Sequence, residues 1–250
     1  MLELKSICKN FGGVRALQNV SCAIDKGNIT GIIGPNGAGK TTLFNIVTGL
    51  YTASSGEVFF EGENITGYAP ERLAKLGLIR TFQNVELFNR MTVLENVMVG
   101  YHSRTRSGMI SCLLKFPRHL REEKAIRKQA LEKLKFAGLE EMADLEAGSL
   151  PFGQGRLLEI ARALAAEPGL ILMDEPAAGL NSRETADLAD LIRKINQLNI
   201  TIVLVEHDMD LIMEVCDNIL VLNLGQKLAE GTPRQIQENR DVVKAYLGDG

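Results

Sequence analysis

Nine consecutive residues, Gly34-Pro35-Asn36-Gly37-Ala38-Gly39-Lys40-Thr41-Thr42, carry the spacing G-x-x-x-x-G-K-[ST]. That spacing builds a phosphate-binding P-loop. Gly34, Gly37 and Gly39 let the backbone take conformations that a side chain forbids, and so bring N–H groups close to phosphate oxygens. Lys40 adds a full positive charge for β- and γ-phosphates, and the Thr41 hydroxyl can ligate Mg²⁺. The candidate phosphate contacts are therefore Gly34, Asn36, Gly37, Ala38, Gly39, Lys40, Thr41 and Thr42, and the ligand they imply is a nucleoside triphosphate. A second group lies far along the chain. Leu170-Ile171-Leu172-Met173-Asp174-Glu175 sets two carboxylates at the end of an apolar run. Asp174 suits a Mg²⁺ partner, and Glu175 suits a general base acting on water.

These residues work only if particular elements hold them. Ile29 to Ile33 reads as a short buried strand, and Thr41 to Val47 as the first turns of a helix. Strand, loop and helix in that order are the setting a P-loop requires, and the helix N-terminus adds partial positive charge toward the phosphates. Residues 170–173 read as another buried strand, whose C-terminal end faces the ligand crevice of an open α/β sheet. Ile200 to Val205 is continuously apolar and β-branched, as a buried parallel strand is. Residues 2–7, 20–24 and 57–60 read as short strands flanking the core. Capping patterns start helices at Pro70, Thr92, Asn181 and Thr232. Residues 121–137 carry apolar positions at helical spacing, a helix opens at Gly153-Gln154 and stops before Pro168, and another runs from His207. A strand from Asn218 to Leu224 and a helix near 241–247 complete the chain. The expected class is α/β: residues 1–83 and 168–250 form a nucleotide-binding core with a β subdomain, and 84–167 a helical subdomain.

Composition narrows the function classes. The chain has 250 residues, 45% hydrophobic and 24% charged, with a formal net charge of −3. It is globular rather than disordered. It lacks the global basic field that a nucleic-acid binder uses, so no nucleic-acid partner is expected. No apolar run approaches the ~20 residues needed to span a bilayer, and the chain begins directly on a strand pattern without a signal peptide. The expected location is therefore the cytoplasm, with membrane contact only through a partner. Cys8, Cys22, Cys112 and Cys216 are scattered, which points to buried or inert free thiols rather than to disulfides or a metal site.

The stretch Leu150-Pro151-Phe152-Gly153-Gln154-Gly155-Arg156 resembles the L-S-G-G-Q signature of the ATP-binding cassette (ABC) ATPases. The resemblance covers essentially the whole chain. Arg162-Ala163-Leu164 and Asp174-Glu175-Pro176 follow in the family's order. Gln83 resembles the Q-loop glutamine, Ala177 to Asn181 the D-loop, His207 the switch histidine, and Phe11 the aromatic that stacks on adenine. The resemblance implies a RecA-like P-loop core with antiparallel β and helical subdomains. It also implies ATP and Mg²⁺ as cofactors, with Thr41, Gln83 and Asp174 near the metal and Glu175, His207 and Gln83 in catalysis. Gly153 and Gln154, at a helix N-terminus, would then hold the γ-phosphate of ATP on a second cassette, either another copy or a paralogue. The signature departs from the family pattern at Pro151, which replaces the serine and brings no N–H, and at Phe152, which replaces a glycine.

A finer resemblance is to the cassettes of branched-chain amino acid importers. Phe11-Gly12-Gly13, Arg80-Thr81-Phe82-Gln83, Phe152-Gly153-Gln154, Glu206-His207-Asp208-Met209 and Ala245-Tyr246-Leu247-Gly248 carry it. It implies an ATPase subunit at the inner face of the cell membrane, working with transmembrane permease subunits and an extracytoplasmic substrate-binding protein. Related cassettes serve urea, amides or lipopolysaccharide, and cargo never touches this subunit. Two other classes fit the sequence less well. A soluble ABC ATPase on nucleic acid would carry two cassettes or a long coiled-coil insertion, and a P-loop kinase has no use for the signature. Arg104, Arg106, Lys115, Arg118 and Arg121 stand in a stretch without acids, which suits a solvated insertion or a contact with membrane subunits or anionic headgroups.

Overall fold

The structure is a computed structural model and describes residues 1–81, 86–101 and 117–247, without the side chains of 117–122 and 247. The chain divides into two compact units, Met1–Gln83 with Gly169–Gly250, and Asn84–Pro168.

In the first unit, the fully apolar runs became the centre of a six-stranded sheet. Strand β3 (Ile29–Ile33), strand β7 (Leu170–Asp174) and strand β8 (Thr201–Val205) are buried at every position. Strands with no polar alternation can only be stable with both faces covered, which a parallel sheet provides. With β6 (Leu78–Thr81), β9 (Asn218–Asn223) and β10 (Gln226–Gly231), the spatial order is β10-β9-β3-β8-β7-β6. All neighbours are parallel except the β9–β10 hairpin. Helix α1 (Lys40–Val47) follows β3, with Leu43 and Phe44 fully buried in the main core. Helix α6 (Ser182–Gln197) starts on a reciprocal cap. The Asn181 side chain accepts from the Arg183 and Glu184 N–H groups, and the Glu184 carboxylate accepts from the Asn181 N–H.

A second, antiparallel sheet has the order β2-β1-β4-β5, from β1 (Leu2–Phe11), β2 (Val14–Ile24), β4 (Ser55–Phe60) and β5 (Glu63–Asn64). Here β1 and β2 run longer than the expected 2–7 and 20–24. Register shifts follow Leu4 and Ile7, and Ser6 and Asn19 take left-handed φ of 51° and 52°. Each bulge moves the following side chains to the other face, so simple alternation is lost although pairing continues. Helix α2 (Pro70–Lys75) lies between β5 and β6 in the chain. Helices α7 (Met209–Val215), α8 (Pro233–Gln237) and α9 (Arg240–Leu247) belong to the C-terminal part of this unit.

The second unit is helical in its described part. Helix α3 (Val93–Gly100) begins at a Thr92/Glu95 capping box. Helix α4 (Pro117–Phe136) starts four residues ahead of the expected 121, with a proline at its first position, where the missing N–H is not needed. Helix α5 (Phe152–Ala165) carries the signature stretch at its start. Val93, Val97, Leu134, Leu139, Leu158 and Ala161 form the centre of this unit's own core.

Candidate active site

The P-loop takes the conformations its glycines permit. Gly34 and Gly39 have φ of 152° and 101°. A Cβ on Gly34 would stand 2.1 Å from the Leu222 carbonyl oxygen, and one on Gly39 2.8 Å from that of Ala16. Both backbones are thus pressed against neighbouring chain, and only glycine fits. The loop is also tied to the β9–β10 turn, where the Gly225 N–H donates to the Ala38 carbonyl at 3.1 Å and the Gln18 N–H to the Gly225 carbonyl at 2.7 Å. The α1 N-terminus has no side-chain cap and no acid in its first turn, so its leading N–H groups are left for an anion. The Lys40 ammonium donates to the Gly34 and Pro35 carbonyls at 2.6 and 3.1 Å. Burial lowers its pKa, and the negative charge of Glu175 offsets part of that shift.

The carboxylates arrive at the C-terminal end of the sheet. Asp174 closes β7 and is 4% exposed. Arg80 of β6 donates to its Oδ2 at 2.5 Å. Glu175 leaves the strand with a left-handed φ of 47°, and its N–H donates to the Val205 carbonyl at 2.8 Å. That turn brings Glu175 Oε1 within 3.1 Å of His207 Nε2. The histidine is 49% exposed and the glutamate 20%, a pair within reach of solvent water. Helix α7 starts at Met209 rather than at His207, because the Asp208 carboxylate accepts from the Leu211 N–H at 3.1 Å and makes Asp208 the cap. His207 therefore stands on the loop between β8 and α7.

Two groups that sequence reasoning left without a role complete the arrangement. Glu206 is buried between the two loops. Its Oε1 accepts from the Ala177 N–H at 2.6 Å, and its Oε2 from the His207 and Asp208 N–H groups at 3.0 and 3.3 Å. Burial raises its pKa, and these three N–H groups offset the shift in part. An acid set directly after a fully apolar strand was the available signal. Tyr246 of α9 is the other: burial raises its pKa, and the backbone of Gly34 beside it offsets part of the shift.

The remaining expected residues lie elsewhere. Phe11 sits at the β1–β2 hairpin, edge-on to Tyr51 with centroids 5.4 Å apart, and the Lys9 ammonium is 4.9 Å from the Phe11 ring. Gly153 and Gln154 lie in the first turn of α5, in the other unit, where Pro151 is the N-cap without a side-chain hydrogen bond. Below them Arg156, fully buried, donates to Glu159 at 2.8 Å. Gln83 and the basic stretch lie outside the residues whose side chains the structure describes. Among the cysteines, Cys22 and Cys216 are buried, with thiols pushed up to about 12 by burial. Cys8 is also free but only half-buried, and hydrogen bonds with Ser55 and the Asn19 N–H lower its pKa, while Cys112 lies outside the described residues.

This geometry defines a P-loop nucleotide-binding fold with an acid pair and a histidine beside the phosphate cradle. The oxygens on offer, the Thr41 hydroxyl and the Asp174 carboxylate, are the hard donors that Mg²⁺ takes. The described residues contain no cluster of three or more His, Cys, Asp or Glu that could hold a metal ion. Such a donor set fits an ion that arrives with phosphate oxygens as its other ligands.

Comparison with known proteins gives the lineage. A family profile described as ABC transporter matches residues 17–178, and one described as branched-chain amino acid ATP-binding cassette transporter matches 226–250. The high-affinity branched-chain amino acid transport ATP-binding protein BraF of Pseudomonas aeruginosa is 44% identical over 250 residues, covering 100% of this chain and 98% of that protein. The crystal structure of an ATP-binding cassette of an ABC transporter in its ADP conformation is 36% identical, with a TM-score of 0.86 and coverage of 100% and 99%. A dimeric cassette in a post-hydrolysis state, bound to ADP and Pi, is 32% identical with a TM-score of 0.78, covering 94% of this chain and 99% of that one. The chain belongs to the ABC transporter family, as one of its ATP-binding cassettes.

Proposed function

We propose that this chain is the ATP-hydrolysing subunit of a membrane importer of branched-chain amino acids. The single observation that carries the hydrolytic reading is the Glu175–His207 pair, 3.1 Å apart beside Asp174 and partly open to solvent. The cargo is argued from the likeness to BraF over the full chain and from the match of residues 226–250. Residues Gly34 to Thr42 hold the ATP phosphates, with Lys40 moving its ammonium from the Gly34 and Pro35 carbonyls to the β- and γ-phosphate oxygens. Phe11 stacks on the adenine. Thr41, Gln83 and Asp174 would hold Mg²⁺, which would supply charge neutralisation to the phosphoryl group. Glu175 accepts a proton from the attacking water, and His207 steadies Glu175 and contacts the γ-phosphate. Catalysis is positioning plus charge stabilisation.

Gly153 and Gln154 contribute to a second site. At the start of α5 they present N–H groups to the nucleotide on a partner cassette, a second copy or a paralogue; a dimeric relative with ADP and Pi bound supports the pairing. Pro151 offers no N–H and no hydroxyl there, so the helix dipole and the later N–H groups bear the load. The assembly would include permease subunits and an extracytoplasmic binding protein, with this chain peripheral on the cytoplasmic face. No helix among the described residues is long and apolar enough to cross a membrane, which fits a subunit that reaches the bilayer through partners. The test is uptake of labelled leucine in a strain lacking the gene. Rescue by wild type and not by Glu175→Gln is expected. Intact leucine uptake with lost urea uptake would move the cargo and keep the ATPase, and no change in either would refute the importer assignment.

A further inference from the structure

We propose that Arg80 is the resident counter-ion of Asp174 and competes with the divalent metal for that carboxylate, so that metal enters the site only together with nucleotide phosphates. The inference rests on the reading of Asp174 as a metal ligand. It adds a positioning residue which that reading lacks.

The geometry is that of a built clamp. Arg80 pairs with Leu172 across the β6–β7 ladder, and Asp174 lies two residues further along β7, on the same face of the sheet. One guanidinium nitrogen donates to Asp174 Oδ2 at 2.5 Å, with side chains 10% and 5% exposed. The other donates to Asn45 Oδ1 on α1 at 2.6 Å and to the hydroxyl of Thr48, the C-cap of that helix, at 3.2 Å. Thr48 is itself fixed, its hydroxyl donating to the Phe44 carbonyl at 2.8 Å. The planar fork therefore spans the carboxylate on one side and the P-loop helix on the other. A guanidinium stays charged at any working pH and holds a preset donor geometry.

A buried carboxylate without a cation is costly, and a partnered one is quiet. With Arg80 in place, Asp174 presents little net negative charge to a dication arriving alone. One of its oxygens is already engaged, and no ready-made metal cluster exists among the described residues. The phosphates supply the missing charge, so metal and nucleotide arrive as a unit. Neutralising Arg80 should leave Asp174 as a bare buried anion that attracts the metal more strongly. Arg80 also sits three residues before Gln83, so the segment that carries the expected third ligand begins at the clamp.

The test uses the purified full chain, with Mn²⁺ as the metal probe read by electron paramagnetic resonance and a fluorescent ADP analogue as the nucleotide probe. Arg80→Gln is expected to bind Mn²⁺ about tenfold more tightly with saturating ADP, while analogue affinity in EDTA stays within about twofold of wild type. Arg80→Lys, which keeps the charge, should restore the wild-type metal affinity. Unchanged or weaker Mn²⁺ binding in folded Arg80→Gln overturns the proposal. Wild type supplies a second arm that needs no arginine variant. Nucleotide-free wild type should show no Mn²⁺ binding that Asp174→Asn abolishes, and finding such binding also overturns the proposal. If Asp174→Asn leaves Mn²⁺ affinity unchanged in the presence of ADP, the metal-ligand reading of Asp174 fails, and the clamp fails with it.

Discussion

Replacing Glu175 by glutamine separates binding from chemistry at this site. Glutamine has the same shape, so the turn held by the Glu175 N–H on Val205 and the side-chain contact to His207 Nε2 at 3.1 Å both survive, the amide matching the imidazole by a flip or a change of tautomer. What is lost is the ability to take a proton. A positioned general base contributes about 10²–10⁴-fold, and at about 1.36 kcal/mol per decade the barrier should rise by about 2.7–5.4 kcal/mol. Binding should not suffer. Glu175 is the anion that offsets the burial-driven fall in the Lys40 pKa, but it also repels the incoming phosphates, and removing one negative charge from the cradle favours an anionic ligand. The assay is phosphate release by the assembled transporter at saturating ATP, beside ATP binding by the same preparation. Turnover within about threefold of wild type would refute the assignment of Glu175 as base, because no positioning effect of so conservative a change could mask a lost proton acceptor. Loss of ATP binding would show instead that the residue belongs to the cradle.

Lys40→Ala should weaken ATP affinity at least about tenfold by removing a charged donor to phosphate; titration with a fluorescent ATP analogue checks it, and unchanged affinity would contradict the role. Gly34→Ala places a methyl 2.1 Å from the Leu222 carbonyl oxygen and should cost at least about 2 kcal/mol of stability, read from urea unfolding of the chain. Glu206→Gln supplies one acceptor where three N–H groups were served. An expected loss of about 1–3 kcal/mol is measurable in the same way, with a lower kcat at similar ATP affinity. Brief alkylation of the native protein at pH 8 should modify Cys8 ahead of Cys22 and Cys216, since the thiols of the latter two are held near pKa 12 by burial while that of Cys8 is lowered. Peptide mass spectrometry reads the order, and early labelling of Cys22 would contradict the packing of the β sheet.

The parts of this site that could be read from sequence are those where chemistry constrains residue type over a short span. The P-loop is such a part, because Gly34 and Gly39 leave no room for any other residue. Asp174 and Glu175 were legible because an apolar strand announces its own C-terminal end, where sheets of this kind keep their ligands. Strands β3, β7 and β8 followed from unbroken apolar runs, whereas the full length of β1 and β2 did not, since the bulges at Ser6 and Asn19 reset the alternation that a periodic pattern depends on. Arg80 was quoted only as part of a family resemblance. Its meaning comes from a bond to a residue 94 positions away, and no local pattern encodes that distance. Glu206 too was quoted only within the family resemblance, and nothing near it in sequence indicates that its two oxygens serve three N–H groups on two loops. Tyr246 shows the same limit, since a tyrosine near the C-terminus carries no sign that burial will raise its pKa.

Glu206 also bears on how the site can move. The segment carrying Glu175 to Ala177 and the segment carrying His207 and Asp208 are far apart in the chain, yet one buried carboxylate is hydrogen-bonded to both. Stretching the gap between these segments means breaking a hydrogen bond to a carboxylate that is 3% exposed. The two therefore travel as a rigid couple. A change in the spacing of Ala177 and His207 is opposed by this shared carboxylate, and so is a change in the 3.1 Å between Glu175 and His207. Movement of one segment is therefore expected to carry the other, a coupling that Glu206→Gln should loosen.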